Sequence, residues 1–449
     1  MTASDYASML LRSLGCGELM IWEDNRSTES LWQESGGMWL TGLHNGPPRQ
    51  CSAPVASAMR GAWLALCALH PGKLDPQFDA HCLLGERAAL ANLQRAGQIS
   101  AGGAAHLLQT VDGWLALNLA REDDWTLLPA WLEADVGDLQ HLRTLLTLNE
   151  TENLVARGRI MGLAVAALPK RRPACSFASW ITRKRLAPPV ATLGHRPVVL
   201  DLSSLWAGPL CAQILQECGA RVIRVESIKR PDGARFGVQS FYDLLNGGKE
   251  SVALRLDTQH GQSCLKDLLA SADIIIEGSR PRALENMGID AASFIAQGQS
   301  KVWLSITGYG RALGNRDWIA FGDDAAVAAG LSNTIDLPPV FCADAVADPL
   351  TGLHAAVAVL QSWLSGGGEL LDVSLFSVAR SIASLANLAK CEQDNASAPM
   401  PMDADDISHI QRPRARAIVS EAVALGTHTD AVIEEFLGAG QRYSRADAR

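Results

Sequence analysis

The chain has 449 residues, a formal net charge of −9, and 48% hydrophobic against 19% charged residues. That length leaves room for two or more domains with large cores. The acidic balance argues against a generic nucleic-acid binder, whose affinity needs many phosphate-neutralising cations, and no apolar stretch reaches membrane-spanning length.

The start, MTASDYASMLLRSLGCGELMIWEDN, carries early acids around a short apolar core and does not read as a signal peptide. Helix-like runs follow at Ala53–Leu69 and Glu86–Ala96, then a strand pattern, GWLALNL, at 113–119 and an amphipathic segment at Asp124–Glu133. Residues 171–195 are basic and contain prolines, the composition of a linker. Beyond them strand and helix patterns alternate. PVVLDL (197–202) precedes a helix over Gly208–Cys218, RVIRVE (221–226) a helix near Phe241–Asn246, and SVALRL (251–256) a helix around Cys264–Leu269. DIIIEG (273–278) and KVWLSIT (301–307) read as further strands. Repeated βα units predict a parallel sheet with helices on both faces, and ligands bind beyond the carboxyl ends of such strands. The stretch 392–416 is polar and proline-rich, an expected loop, and Asp430–Leu437 an expected last helix.

One passage occurs twice. PPRQCSAPVASAMRGAWLALCAL (47–69) aligns without a gap on PPVFCADAVADPLTGLHAAVAVL (338–360), with eight of twenty-three positions identical. The paired prolines, Cys51 with Cys342, and Gly61 with Gly352 are the informative matches. Ser57 of the first copy stands where the second has Asp348. A carboxylate can attack a thioester to give an anhydride, whereas a hydroxyl needs a base. Asp348 before Pro349 also has the form of a helix N-cap, a role Ser57 would fill equally well.

Other motifs are weaker. Lys229, Arg230, Arg235, Lys249, Arg280 and Arg282 follow the early strands and form a candidate site for a phosphorylated ligand. LNGGK (245–249) is not a P-loop, and SSLWAGP (203–209) lacks GxGxxG, so a dinucleotide site is not expected. SAGGA (100–104), with Gly102 and Gly103, is either a simple turn or a loop able to close over a site. The ten cysteines contain no CxxC pair and the histidines no metal-type spacing, so no metal is expected and reduced thiols in a cytoplasmic protein are.

Together VVLDLSSLWAGPLCAQILQECGARVIRVES, LNGGKESVALRL, ADIIIEGSRPRALENMGID, KVWLSITGYG, ADPLTGLHAAVAVL and LDVSL resemble the class III CoA-transferases, a family with an α-methylacyl-CoA racemase branch. The resemblance implies an α/β fold: a Rossmann-like parallel-sheet CoA-binding domain with a second, smaller α+β domain. The first half resembles the family's later portion, SGGMWLTGLHNGPP (35–48) leading toward the nucleophile and RAGQISAGGAAHLLQTVDGWLALNL (95–119) supplying its glycine loop. The expected division is therefore a degenerate copy with the small domain at 1–170, a linker at 171–195, the large domain at 196–390, and a linker with a C-terminal helix at 391–449. The resemblance places the nucleophile on Asp348, oxyanion-stabilising N–H groups on Gly102 and Gly103, and CoA contacts near Ala207, Lys249 and Arg280. It implies CoA transfer between an acyl-CoA and a carboxylic acid through an aspartyl anhydride and an aspartyl-CoA thioester, with CoA as part of the substrate, no permanently bound cofactor, and a homodimer. The alternatives are an acyl-CoA racemase or isomerase of the same superfamily, or a non-catalytic acyl-CoA-binding protein. Racemisation needs two acid/base groups across one carbon. FGDDAAVAAG (321–330) has no histidine where the racemase branch carries one, so that alternative ranks lower.

Overall fold

A computed structural model describes residues 1–171, 175–191, 195–296, 301–332, 338–391 and 410–438, with the backbone alone at 387–391. Two sheets organise them. The smaller is antiparallel, in the order β1 (Ala105–Gln109), β2 (Trp114–Asn118), β3 (Ala164–Ala167). The larger contains β4 (Ile181–Arg185), β5 (Val198–Leu202), β6 (Arg221–Ser227), β7 (Glu250–Leu254), β8 (Ile274–Glu277), β9 (Val302–Thr307) and β10 (Glu369–Ser374). Their spatial order is β4-β10-β9-β8-β5-β6-β7, all parallel except β4.

The apolar runs read as strands are buried on both faces. Along β8, Ile274 and Ile276 join one core cluster and Ile275 the other, the period of two expected for a sheet covered on each side. The helices that bear on function are α1 (Ala3–Ser13), α2 (Val55–Leu69), α3 (Glu86–Ala91), α4 (Thr151–Ile160), α5 (Ala207–Glu217), α6 (Gly322–Ala328), α7 (Ala347–Leu364) and α8 (Leu375–Cys391). One hydrophobic cluster runs through α1, α2, α5, α7 and α8, so the two halves share a core.

Two expectations need correction. The segment 171–195 is not a bare linker: Ile181–Arg185 adds β4 antiparallel to the edge of the large sheet. Its arginines give an edge strand the composition of a linker. Arg183 and Arg185 both reach Glu369 of β10, at 2.7 and 3.1 Å, and Trp180 just before them is buried. Second, Asp348 is not an N-cap. Helix α7 begins at Ala347 with Val346 as its cap residue and no side-chain capping bond. Ser57 likewise lies inside α2, whose cap residue is Pro54. The carboxylate of Asp348 is thereby free of capping duty.

Most of the polar stretch 392–416 lies outside the described residues. Its end returns along the first half: Arg414 bonds Asp79 at 2.6 Å and Arg416 bonds Glu86 at 2.7 Å. The expected last helix spans Thr429–Leu437. Among the described residues no helix is long and apolar enough to cross a membrane.

Candidate active site

Crossover helices run back against parallel strands, so the start of α7, which leads into β10, stands at the carboxyl end of the large sheet. Asp348 is the second residue of that helix and remains partly exposed, while Asp323, Asp324 and Asp344 around it are buried. The Gly322 N–H, at the start of α6, donates to its carboxylate. A Cβ on Gly322 would overlap both Asp348 Oδ2 and the Ala345 carbonyl, so only glycine lets the acid sit there.

Desolvation of the half-buried carboxyl pushes Asp348 up to about 7, with Arg87 opposing that rise and Asp323 and Asp344 adding to it. Burial likewise raises Asp323 to about 6 and Asp324 to about 7. Asp323 accepts from the Ala345 N–H at 2.9 Å. Asp324 accepts from the Phe321 N–H at 2.9 Å and from the Asn118 amide at 3.3 Å.

The approach to Asp348 is held by residues of the first half. Arg87 of α3 grips Asp344 with two parallel bonds, Nε to Oδ2 at 2.8 Å and Nη2 to Oδ1 at 2.5 Å. Thr41 Oγ1 accepts from the Ala343 N–H at 2.8 Å, the Gly97 carbonyl from Phe341 at 3.0 Å, and Arg49 donates to the Pro338 carbonyl at 2.7 Å. These clamps surround a strained turn, since Ala343 (φ 53°) and Ala345 (φ 43°) are both left-handed without being glycine.

Gly102 and Gly103 are exposed on the turn from Ser100, and a Cβ on Gly102 would lie 3.0 Å from Arg87 Nη2. The structure thus brings the glycine turn, Arg87 and Asp348 into one neighbourhood from distant parts of the chain. Arg87, Asp323 and Asp344 were not singled out from sequence. Arg87 carries no motif, and an acid such as Asp344 acquires meaning only from the arginine that reaches it.

The expected CoA contacts divide. Ala207 opens α5 after β5 and is buried, its carbonyl pressed against Gly352 of α7. Arg280 is exposed just beyond β8. Lys249 is buried, and its ammonium donates to Asp201 Oδ2 (3.1 Å), the Pro209 carbonyl (2.9 Å) and Asn246 Oδ1 (3.1 Å). Its three protons are spent inside the protein, so it presents no cation to a phosphate. The loops that follow β5 and β6 expose the apolar Leu205, Phe236 and Val238 and the basic Lys229 and Arg230.

Among the described residues one group has the make-up of a metal site: Glu34, Asp79 and His81, with ligand atoms within 4.8 Å of one another. Arg26 already pairs with both carboxylates, 2.7 Å from Glu34 and 3.0 Å from Asp79. A guanidinium holds the place of a cation there.

A family model described as CoA-transferase family III matches residues 197–442. An acyl-CoA transferase of Fusarium pseudograminearum is 27% identical over 213 residues, 42% of this chain and 47% of its own length. The succinyl-CoA–D-citramalate CoA-transferase of Chloroflexus aurantiacus is 29% identical over 192 residues, 40% and 48% of the two chains. The formyl-CoA:oxalate CoA-transferase of Escherichia coli is 28% identical over 191 residues, 39% and 46%. A solved structure of a CAIB/BAIF family protein from Brucella suis aligns at 27% identity over 47% of this chain and 60% of that one, with a TM-score of 0.41. The chain spans about half the length of the curated relatives it matches. The family match covers more than half of this chain and takes in every strand of the large sheet except β4, together with α6 and α7; the chain belongs to the family III CoA-transferases.

Proposed function

We propose that this protein transfers CoA between an acyl-CoA and a free carboxylic acid, with Asp348 as the covalent nucleophile. The observation that carries the reading is the setting of Asp348: a partly exposed carboxylate at the carboxyl end of a parallel sheet, free of capping duty, in a chain of this family. The relatives' names supply the substrate class, acyl-CoA thioesters and carboxylic acids.

The ionised Asp348 attacks the thioester carbon. The C–S bond breaks, and the CoA thiolate leaves with its electron pair, giving an aspartyl acyl anhydride. The thiolate then attacks the aspartyl carbonyl, and the C–O bond to the donor acyl group breaks. The donor acid departs as its carboxylate and leaves an aspartyl-CoA thioester. The acceptor carboxylate attacks that thioester and releases the thiolate again. In the last step the thiolate takes the new acyl group, and Asp348 returns as a carboxylate. A carboxylate is the side chain that can pass through both anhydride and thioester at one position. The exposed backbone of Gly102 and Gly103 is suited to approach the developing oxyanions, since neither residue carries a side chain.

For CoA itself, the surface beyond β8, β5 and β6 supports the reading best. These three strands are neighbours, and their carboxyl ends carry Arg280, Leu205 with Ser204, and Lys229 with Arg230 and Phe236 respectively. Apolar side chains beside cations suit an adenine ring with phosphates. Lys249 is left out of this set.

The test is hydroxylamine trapping during incubation with a panel of acyl-CoAs, followed by mass analysis of the peptide containing Asp348. A hydroxamate at that residue is expected. Turnover without any adduct, or an adduct on another side chain, sinks the assignment.

A further inference from the structure

The duplication is larger in space than in sequence. Helix α1 packs on α2 as α5 packs on α7. Gly61 and Gly352, the matching glycines of the repeat, make the same close approach: a Cβ on Gly61 would lie 2.6 Å from the Ala3 carbonyl, and one on Gly352 would lie 2.6 Å from the Ala207 carbonyl. Ala3 and Ala207 are each the first residue of an eleven-residue helix. Both helices end the same way, at a glycine in the left-handed region, Gly15 (φ 78°) and Gly219 (φ 103°). The closing bonds match one for one. Gly15 N–H meets the Arg12 carbonyl at 3.0 Å and Cys16 N–H that of Leu11 at 3.0 Å; Gly219 N–H meets Gln216 at 2.9 Å and Ala220 N–H meets Leu215 at 3.0 Å. The pair α1/α2 is therefore a copy of the pair α5/α7, although few side chains coincide.

The copies also pack on each other, α2 against α7. Tyr6 of α1 crosses between them and bonds His354 of α7 at 2.7 Å. The first copy holds no working nucleophile, because Ser57 is fully buried and bonded to Thr28 Oγ1 at 3.2 Å. What the first half gives instead is the clamp on the segment before Asp348, from Thr41, Arg49, Arg87 and Gly97, with the glycine turn beside it.

We propose that the protein is a single-chain pseudodimer: its first half is the remnant of a second protomer and completes the one competent site within the same chain. This rests on Asp348 as the nucleophile and replaces the expectation of a homodimer. The two copies of the repeated helix, α2 and α7, meet within one chain. The sheet of the first copy is no longer needed, which fits the absence of strands β6 to β9 from the short stretch between α1 and α2. In this arrangement Arg87 is a positioning residue, acting on Asp348 through Asp344 and through space.

The test uses the full chain. Melting temperature and specific activity are followed over about a hundredfold dilution, a range in which an obligate dimer loses stability. Purified Asp348→Ala and Arg87→Gln chains are then mixed, with the melting of each variant recorded. The proposal expects both properties to be independent of dilution and the mixture to be no more active than the sum of its parts. Melting and activity that fall together on dilution, or activity regained on mixing, overturns it. A chain inactive on every acyl-CoA tried, yet with dilution-independent melting, would count against Asp348 as the nucleophile and still support the single-chain architecture.

Discussion

Asp348 combines two demands that conflict. As the proposed nucleophile it must be anionic to attack, yet desolvation and the neighbouring Asp323 and Asp344 favour its neutral form, with Arg87 the main opposing influence. Activity should therefore rise with pH through about 7. Arg87→Gln removes the opposing cation and leaves Asp344 unpaired, so the rising limb of the kcat profile moves to higher pH, and Arg87→Lys restores part of the shift. A merely structural loss would lower activity at every pH alike. Gly322→Ala should leave CoA binding nearly intact and lower kcat by about 10²-fold, the cost of displacing a reacting atom by an ångström or so; steady-state kinetics separate the two. The linkage to stability has a definite sign. A carboxyl group whose folded pKa lies above its unfolded value near 3.9 costs no stability below that value. It costs progressively more as pH rises toward the folded pKa, about 7 for Asp348. Asp348→Asn should therefore melt higher than the parent at pH 8, by roughly 1–3 kcal/mol in stability, and match it near pH 4.

The elements place these residues through close backbone approach and buried charge. Helix α7 meets α5 where Gly352 faces the Ala207 carbonyl and Leu210. Gly352→Val would force α5 and α7 apart, and a loss of about 1–3 kcal/mol in denaturant unfolding is expected. Lys249 shows how a functional expectation becomes a structural one. Burial lowers its ammonium to about 8 even with Asp201 holding the charge, and that carboxylate also takes Arg224 at 3.2 Å. Lys249→Met should lower the melting temperature while leaving KM for acyl-CoA within about twofold, because breaking a buried ion pair costs about 3–5 kcal/mol and its effect lies in folding. A large rise in KM with unchanged stability would return Lys249 to the CoA site.

At the scale of the whole molecule, one core joins α1 and α2 of the first half to α5, α7 and α8 of the second. Cutting between the halves would expose that shared apolar surface, so neither half is expected to stand alone. The sequence carried the strands of the large sheet well, because a run such as IIIE in β8 is apolar on both faces and has no helical period. It carried β4 poorly, since an edge strand with outward arginines has the composition of a linker. Composition and spacing by themselves determined the alternating βα order, the 47–69 and 338–360 repeat, and Asp348 as an acid standing where the first copy has Ser57. Those properties are local, written in neighbouring side chains. The tertiary structure alone decided that Asp348 is free of a cap, that Lys249 is locked inside, and that Arg87 meets Asp344 across more than two hundred and fifty positions. Charge and hydrogen-bond partners are set by distance in space, and in a chain whose site is assembled from two remote halves that distance appears only when the shared core closes.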